Sequence, residues 1–205
     1  AIQVFGWSMY SSFSGAMTTR PHMYITGIAG AGKSTALSVI KRTLGGAGVK
    51  TDGIETTSAG IRQSLKHDAL AVLLDELGDS KTHSPAEAAR IRSIQNQLLS
   101  GYNDDSGALK GTADGQGRHY SSRYTGIMAG IIPPEMQKQD RSRMLFCTLS
   151  KLAKGAPRCA LLNDLDRAEL LGQRIRMRLF REFSKFEQSI QVLKDVLLAK
   201  GYDDR

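Results

Sequence analysis

Short apolar runs alternate with amphipathic stretches along the chain, and this alternation of strand-like and helix-like segments is typical of an α/β protein. The clearest strand is the run ALAVLL at 69–74, which is followed by Asp75-Glu76. A continuous apolar run of this kind is expected for a parallel strand that is buried on both faces. Four further strands are predicted at 23–26, 49–55, 124–132 and 144–149, and the second of these is expected at the edge of the sheet.

Helical periodicity fills the segments between these strands, at 33–44, at 59–66 and from Ser84 onward. The last of these helices has the strongest start signal. Ser84 can cap it, Pro85 suits its first turn, and a glutamate stands at the capping-box position.

The chain divides into three segments: a helical lead-in at 1–20, a core at 21–150 and a C-terminal helical segment at 151–205. A glycine-rich stretch at 101–120 interrupts the core and predicts either a long loop or a β-hairpin. We expect the chain to be part of a longer protein.

The charge of the chain favours an anionic partner. Its 205 residues include 28 Lys and Arg against 20 Asp and Glu, a formal net charge of +8. Nucleic acid is the commonest such partner, although an ordinary basic surface explains the charge equally well. Cys147 and Cys159 lack the spacing of metal ligands, which predicts reduced cysteines in a cytoplasmic protein. No stretch has the length and apolarity of a membrane span, so no membrane partner is expected.

Residues 27–34, GIAGAGKS, fit the phosphate-binding pattern G-x-x-x-x-G-K-[ST] in full, and the alternative is a chance glycine-rich turn. In this pattern the glycines let backbone N–H groups wrap a phosphate at the start of a helix. Lys33 is expected to reach the β- and γ-phosphates, and Ser34 to bind Mg²⁺, so ATP and Mg²⁺ are the predicted cofactors. The expected nucleotide-binding residues are Gly27, Gly30, Ala31, Gly32, Lys33, Ser34 and Thr35.

The acidic pair at the end of the ALAVLL run supplies the second half of such a site. Asp75 is expected to hold Mg²⁺ through water, and Glu76 to act as the base that polarises an attacking water molecule. The alternative is a solvated pair of carboxylates at a strand end. A small-molecule kinase must keep water away from the γ-phosphate and gains nothing from such a glutamate, so the pair favours hydrolysis.

Several blocks of the sequence resemble the ATPase domain of phage and plasmid primase-helicase proteins, a branch of the AAA+-like P-loop NTPases near the superfamily 3 helicases. These blocks are RPHMYITGIAGAGKST, AGIRQSLKHDALAVLLDE, LKGT, RYTGIMAGI, DRSRMLFCTL and GYDDR, in that order. The resemblance implies an AAA+-like parallel sheet flanked by helices. It also implies a homo-oligomeric ring, expected to be a hexamer, that hydrolyses ATP between subunits and moves along DNA, with single-stranded DNA as the expected form.

The resemblance further implies roles for three regions. Arg141 or Arg143 would reach the γ-phosphate bound by a neighbouring subunit, unless both are ordinary surface arginines. Stretch 101–120 would form a hairpin that grips DNA through its basic residues, unless it is a mobile solvated loop. Those residues are Lys110, Arg118 and His119. The strand YTGIMAGII departs from the family pattern, because no polar residue ends it as a γ-phosphate sensor.

The leading hypothesis is therefore the ATP-hydrolysing motor of a DNA replication helicase or primase-helicase. One alternative is a P-loop small-molecule kinase, which shares the glycine-rich loop. Another is a non-translocating ATP switch that recruits replication or defence partners.

Overall fold

A parallel β-sheet forms the centre of the protein, whose computed structural model describes residues 2–77, 84–103, 107–111, 117–133, 135–153 and 165–202. The strands in these ranges are β1 (His22–Thr26), β2 (Gly48–Asp52), β3 (Ala71–Asp75), β4 (Gly107–Gly111), β5 (Gly117–Ser121), β6 (Gly126–Gly130) and β7 (Met144–Thr148). Five of them form the sheet in the order β2-β3-β6-β1-β7, and every pairing in it is parallel. The predicted α/β class is confirmed, and β2 lies at the sheet edge as expected.

Helices cover both faces of this sheet. They are α1 (Ile2–Ser11), α2 (Lys33–Leu44), α3 (Ser58–Leu65), α4 (Pro85–Leu99), α5 (Lys138–Arg141), α6 (Leu165–Arg181) and α7 (Phe183–Ala199). The capping box of α4 is present: the Ser84 hydroxyl accepts from the Glu87 N–H, and the Glu87 carboxylate accepts from the Ser84 N–H. The predicted lead-in is helical in its first half, as α1, and continues through a short 3₁₀ helix (Ser14–Ala16) toward Arg20.

Successive residues of the central strands supply two separate apolar cores. On one face Leu73 packs with Leu37 of α2 and Trp7 of α1. On the other face Leu74 packs with Ile94 and Leu98 of α4. This alternation is the reason why β3 reads as a continuous apolar run, since both of its faces are covered.

The C-terminal segment packs onto the core through α6. A Cβ atom on Gly172 would lie 2.1 Å from the carbonyl oxygen of Thr43, so only glycine allows α6 to approach α2 this closely. An ion pair between Arg42 and Glu169 spans the same contact at 3.3 Å. The next helix, α7, leaves large apolar side chains such as Val192 and Leu193 exposed.

The glycine-rich stretch contains a β-hairpin, one of the two structures predicted for it. Strands β4 and β5 pair antiparallel, with Lys110 opposite Arg118 and Leu109 opposite His119. The residues between the two strands, 112–116, lie outside the described residues.

Two buried polar side chains lie at the amino edge of the sheet. The Nδ1 atom of His22 accepts from the backbone N–H of Gly126 at 2.9 Å. Burial, with smaller contributions from Arg143 and Arg20, lowers the pKa of His22 to about 3, so the ring is neutral near neutral pH. Arg20 is fully buried and donates to the carbonyl oxygens of Ser14 and Met17. The two Arg20 contacts hold the second half of the lead-in together just before β1.

Two further expectations concern cysteines and membranes. Cys147 is a free thiol, and burial raises its pKa, whereas Cys159 lies outside the described residues. Among the helices within the described ranges, none has the length and apolarity to cross a lipid bilayer.

Candidate functional site

A cavity of about 560 Å³ opens at the carboxyl edge of the sheet, where the predicted phosphate-binding loop joins β1 to α2. Clefts at this edge are the usual ligand sites of open α/β sheets. The lining residues are Ala29, Gly30, Gly32, Lys33, Ser34, Thr35, Ile54, Glu76, Gly130 and Ile131. The structure thus places most of the expected nucleotide-binding residues, together with Glu76, around one cavity.

The loop has the backbone conformation that its glycines permit. Gly30 (φ 76°) and Gly32 (φ 89°) both lie in the left-handed region that other residues rarely adopt. Gly32 is also the N-cap of α2, where no side chain caps the helix and no acidic residue occupies the first turn. The amino end of α2 therefore carries partial positive charge at the cavity wall, which suits an anionic group.

The first glycine of the loop is required by a different contact. A Cβ atom on Gly27 would lie 2.6 Å from the carbonyl oxygen of Leu149, so the chain leaving β7 packs directly on the loop. This contact carries Lys151 to the loop as well. Its Nζ atom lies 4.0 Å, and its Cε atom 3.5 Å, from the position of a Cβ atom on Gly30. This second lysine was not predicted, because no local motif marks it.

Lys33 lies across the inside of the loop. Its ammonium group donates to the carbonyl oxygen of Gly27 at 2.6 Å and to that of Ile28 at 3.2 Å. These two hydrogen bonds hold the positive charge of Lys33 at the glycine-rich loop, where a phosphate would bind.

Ser34, which lines the cavity, contacts Asp75, a residue predicted from a separate motif. The Ser34 hydroxyl donates to Oδ1 of Asp75 at 3.1 Å. A hydroxyl and a carboxylate are the oxygen ligands that Mg²⁺ prefers, so the residues present fit this ion. Lys50 of β2 pairs with the other carboxylate oxygen, Oδ2, at 3.1 Å. This ion pair was not predicted.

Glu76 adopts a left-handed backbone conformation with φ 51°, which is uncommon for a residue that carries a Cβ atom. Such a conformation costs about 1–2 kcal/mol, and residues that adopt it cluster at functional sites. The N–H of the next residue, Leu77, donates to the carbonyl oxygen of Ala129 and secures the turn. The Glu76 side chain is exposed and lines the cavity.

The segment after β2 packs against this turn. A Cβ atom on Gly53 would lie 2.6 Å from the carbonyl oxygen of Asp75, which explains why glycine stands there. The Arg90 guanidinium of α4 donates to the carbonyl oxygens of Gly53 and Thr56, and so holds the segment in place. Strand β2 therefore ends at Asp52, before the predicted limit at 55.

Arg141 and Arg143 lie at the opposite, amino edge of the sheet, before β7 begins. The exposed Arg141 guanidinium lies 4.7 Å from the ring centroid of Phe146, and the half-buried Arg143 guanidinium 5.5 Å from that of Tyr102. The structure therefore does not bring either arginine to the cavity of its own chain.

The strand end expected to carry a phosphate sensor is apolar in the structure too. Gly130 and Ile131 line the cavity where β6 ends. The hydroxyl beside them belongs to Thr26 of β1 and donates to the carbonyl oxygen of Ile131 at 2.6 Å.

Comparisons with known proteins show the fold of this chain but not its family. No protein-family profile matches the chain, and no curated protein matches it. It is similar in structure to the apo structure of the NrS-1 C terminal region (305-718), with a TM-score of 0.51 at 14% sequence identity over 85% of this chain. The A form apo structure of the same region gives a TM-score of 0.49 at 14% identity over 82% of this chain. The chain spans only 41% and 40% of these two solved chains. At this identity the likeness shows a shared α/β fold.

Proposed function

We propose that this chain is the ATP-hydrolysing motor domain of a DNA replication helicase or primase-helicase, an AAA+-like P-loop NTPase that works as an oligomeric ring on DNA. The observation that carries the proposal is the hydrogen bond between Ser34 and Asp75 beside a glycine-rich loop. It joins two motifs 41 residues apart, and this pair supports the proposal because a P-loop serine and a strand-end aspartate are the residues that hold Mg²⁺ in such NTPases.

The loop and α2 bind the phosphates of ATP in this proposal. Backbone N–H groups at the amino end of α2 would donate to the phosphate chain, and Lys33 would exchange its carbonyl partners for phosphate oxygens. Gly30 keeps a side chain out of the cavity, so that the backbone can approach the ligand, and Gly27 lets the chain after β7 pack on the loop.

Ser34 and Asp75 would hold Mg²⁺, Ser34 directly and Asp75 through water. Held by these two residues, the ion would supply positive charge that neutralises the phosphates. The two residues already face each other, so little rearrangement is needed to form the site.

Glu76 acts as the base that orients and deprotonates the attacking water molecule. Its position on the cavity wall supports this role over a kinase role, because a kinase would lose ATP to water activated there. Arg141, or Arg143 in its place, supplies positive charge to the γ-phosphate bound by a neighbouring subunit. A ring is the assembly that brings such an arginine to every site.

The hairpin of β4 and β5 contacts DNA in this proposal. Lys110 and Arg118 stand opposite each other in its register, and His119 follows. Their charges would contact backbone phosphates regardless of sequence, in keeping with the net charge of +8.

The proposal is tested by measuring ATP binding and turnover with and without single-stranded DNA, for the wild type and Lys33→Ala. We expect DNA to stimulate wild-type turnover, and the variant to lose productive nucleotide binding while it stays folded, because Lys33 faces the loop and not a core. Lys41→Ala is the matched control, since Lys41 lies on the same helix and donates to the Gly45 carbonyl oxygen instead.

Unchanged ATP affinity in Lys33→Ala would refute the nucleotide site. Turnover that transfers phosphate to a small molecule, without a response to DNA, would favour the kinase. DNA-stimulated turnover without strand displacement by the full-length protein would favour the non-translocating switch.

A further inference from the structure

Lys50 occupies an unusual place for a lysine, in a parallel strand beside the proposed metal ligand. Its Nζ atom lies 3.1 Å from Oδ2 of Asp75, and it also donates to the Ser38 hydroxyl of α2 at 3.4 Å. The side chains of Lys50 and Asp75 are only 29% and 18% exposed. This ion pair is therefore shielded from solvent more than a surface pair would be.

The strand register explains how Lys50 reaches this position. Lys50 pairs with Leu73 and Asp52 pairs with Asp75, so Lys50 starts two residues behind the strand end. Leu73 faces α2, and Lys50 lies beside it on the same face of the sheet. Its long side chain can run forward under α2 to the carboxylate.

The two oxygens of Asp75 thus have different partners. Ser34 donates to Oδ1, and Lys50 holds Oδ2. A divalent cation bound at Asp75 would lie within a few ångströms of the Lys50 ammonium group and would be repelled by it. Asp52 and Glu76 line the adjoining cavity together with Lys50. Their carboxylates attract cations to this cavity, and the positive charge of Lys50 opposes that attraction.

We propose that Lys50 neutralises Asp75 so that the site takes up a divalent cation only together with the phosphates of a nucleotide. Phosphate oxygens add the negative charge that outweighs the lysine, and the cation then enters as part of the nucleotide complex. This inference rests on the proposed function, because it assumes that Asp75 serves a metal ion. Lys50 is a positioning residue here and touches neither nucleotide nor metal.

The test measures Mn²⁺ binding to the protein without nucleotide, by the loss of the free Mn²⁺ signal in electron paramagnetic resonance. We expect weak binding by the wild type and roughly three- to tenfold tighter binding by Lys50→Met, because the repelling charge is gone. Lys50→Arg keeps the charge and should bind as the wild type does. Lys41→Met is the control for the loss of a lysine elsewhere, because Lys41 of α2 donates to the Gly45 carbonyl oxygen instead. This variant should bind Mn²⁺ as the wild type does.

Two further variants test whether the tighter Mn²⁺ binding depends on the charge of Lys50 and on Asp75. Lys50→Gln should show the same tightening if Lys50→Met folds poorly, and thermal unfolding checks both proteins. Adding Asp75→Asn to Lys50→Met should return Mn²⁺ binding to the wild-type level. Unchanged or weaker Mn²⁺ binding in folded Lys50→Met and Lys50→Gln would overturn the inference.

The outcome is separable from that of the proposed function. If the wild type failed to bind ATP in the presence of Mg²⁺, the proposed function would fail whatever the Mn²⁺ result. If the wild type bound ATP normally while the lysine variants left Mn²⁺ binding unchanged, only the role of Lys50 would fail.

Discussion

Both the backbone and the side chain of Glu76 favour a catalytic role, because the residue has a φ of 51° and lines the cavity. We expect Glu76→Gln to bind ATP and hydrolyse it much more slowly, because only the base is lost. Removing a positioned base costs about 10²–10⁴-fold in rate. Single-turnover hydrolysis beside equilibrium ATP binding measures both effects.

Glu55→Gln is the matched control for Glu76, because Glu55 is an exposed carboxylate in the segment after β2. It should hydrolyse ATP at the wild-type rate. Wild-type turnover in Glu76→Gln would show that water is activated by another group.

The buried His22 leads to a second prediction for a single residue, which concerns how the free energy of unfolding depends on pH. Its pKa is about 3 in the folded chain and near its ordinary value of 6.5 when unfolded, so below pH 6.5 the unfolded state binds a proton that the folded state does not. The free energy of unfolding should therefore fall as the pH drops from 6.5 toward 3. The contribution of His22 approaches about 1.4 kcal/mol per pH unit.

Chemical denaturation at pH 7.5, 6.0 and 5.0 checks this slope in the wild type and His22→Asn. Asn can accept the Gly126 N–H without titrating, so the variant should be less sensitive to acid even if it is less stable at pH 7.5. Identical slopes for wild type and His22→Asn would contradict the prediction.

Among the elements, the hairpin of β4 and β5 carries the proposed DNA contact. We expect Lys110→Ala to weaken binding to single-stranded DNA of any sequence, and to lower the slope of log affinity against log salt by about 0.7, because one phosphate contact is lost. Fluorescence anisotropy at several salt concentrations measures it. Lys66→Ala, at an exposed position just after α3, is the control and should keep both affinity and slope. An unaltered slope in Lys110→Ala would favour the alternative that this stretch is solvated and does not contact DNA.

The strands and helices were predictable from sequence wherever burial imposes a local pattern. The apolar run before Asp75 predicted β3, and the residues around Ser84 predicted the start of α4. The strand limits were less predictable. β2 ends at Asp52 because Gly53 must approach the Asp75 carbonyl oxygen, and that contact joins residues far apart in sequence.

The same reason limits how much of the candidate site could be predicted. Lys33, Ser34 and Asp75 belong to motifs that local spacing reveals. Lys50 and Lys151 reach the site only because β2 lies beside β3 and β7 lies beside β1. Strand order is a property of the whole sheet, so no local pattern marks these two lysines.

At the scale of the whole molecule, Arg141 tests the proposed ring. We expect Arg141→Ala to bind ATP normally and hydrolyse little of it, since arginines that reach a neighbour's γ-phosphate contribute about 10³–10⁵-fold to turnover. Mixed with Lys33→Ala, it should regain part of the activity. Its own intact loop can receive Arg141 from the subunit that lacks Lys33.

Lys138→Ala is the control for this experiment, because Lys138 is an exposed cation on the same short helix. It should keep wild-type turnover. Two inactive variants that stay inactive after they are shown to co-assemble would argue against a shared site. Full activity of Arg141→Ala alone would move the role to Arg143 or remove it.

The two ends of β7 have a consequence for reaction kinetics. The strand starts beside Arg141 at one edge of the sheet and leads at the other edge to Leu149, which packs on Gly27 of the loop. Five residues of strand, about 16 Å, separate the edges, so one copy cannot turn its own arginine onto the cavity beside its own loop. If a neighbour's arginine completes each site, turnover per subunit must fall on dilution. At low protein concentration the rate would then rise more steeply than in proportion to concentration, and it would become proportional once every site had a neighbour.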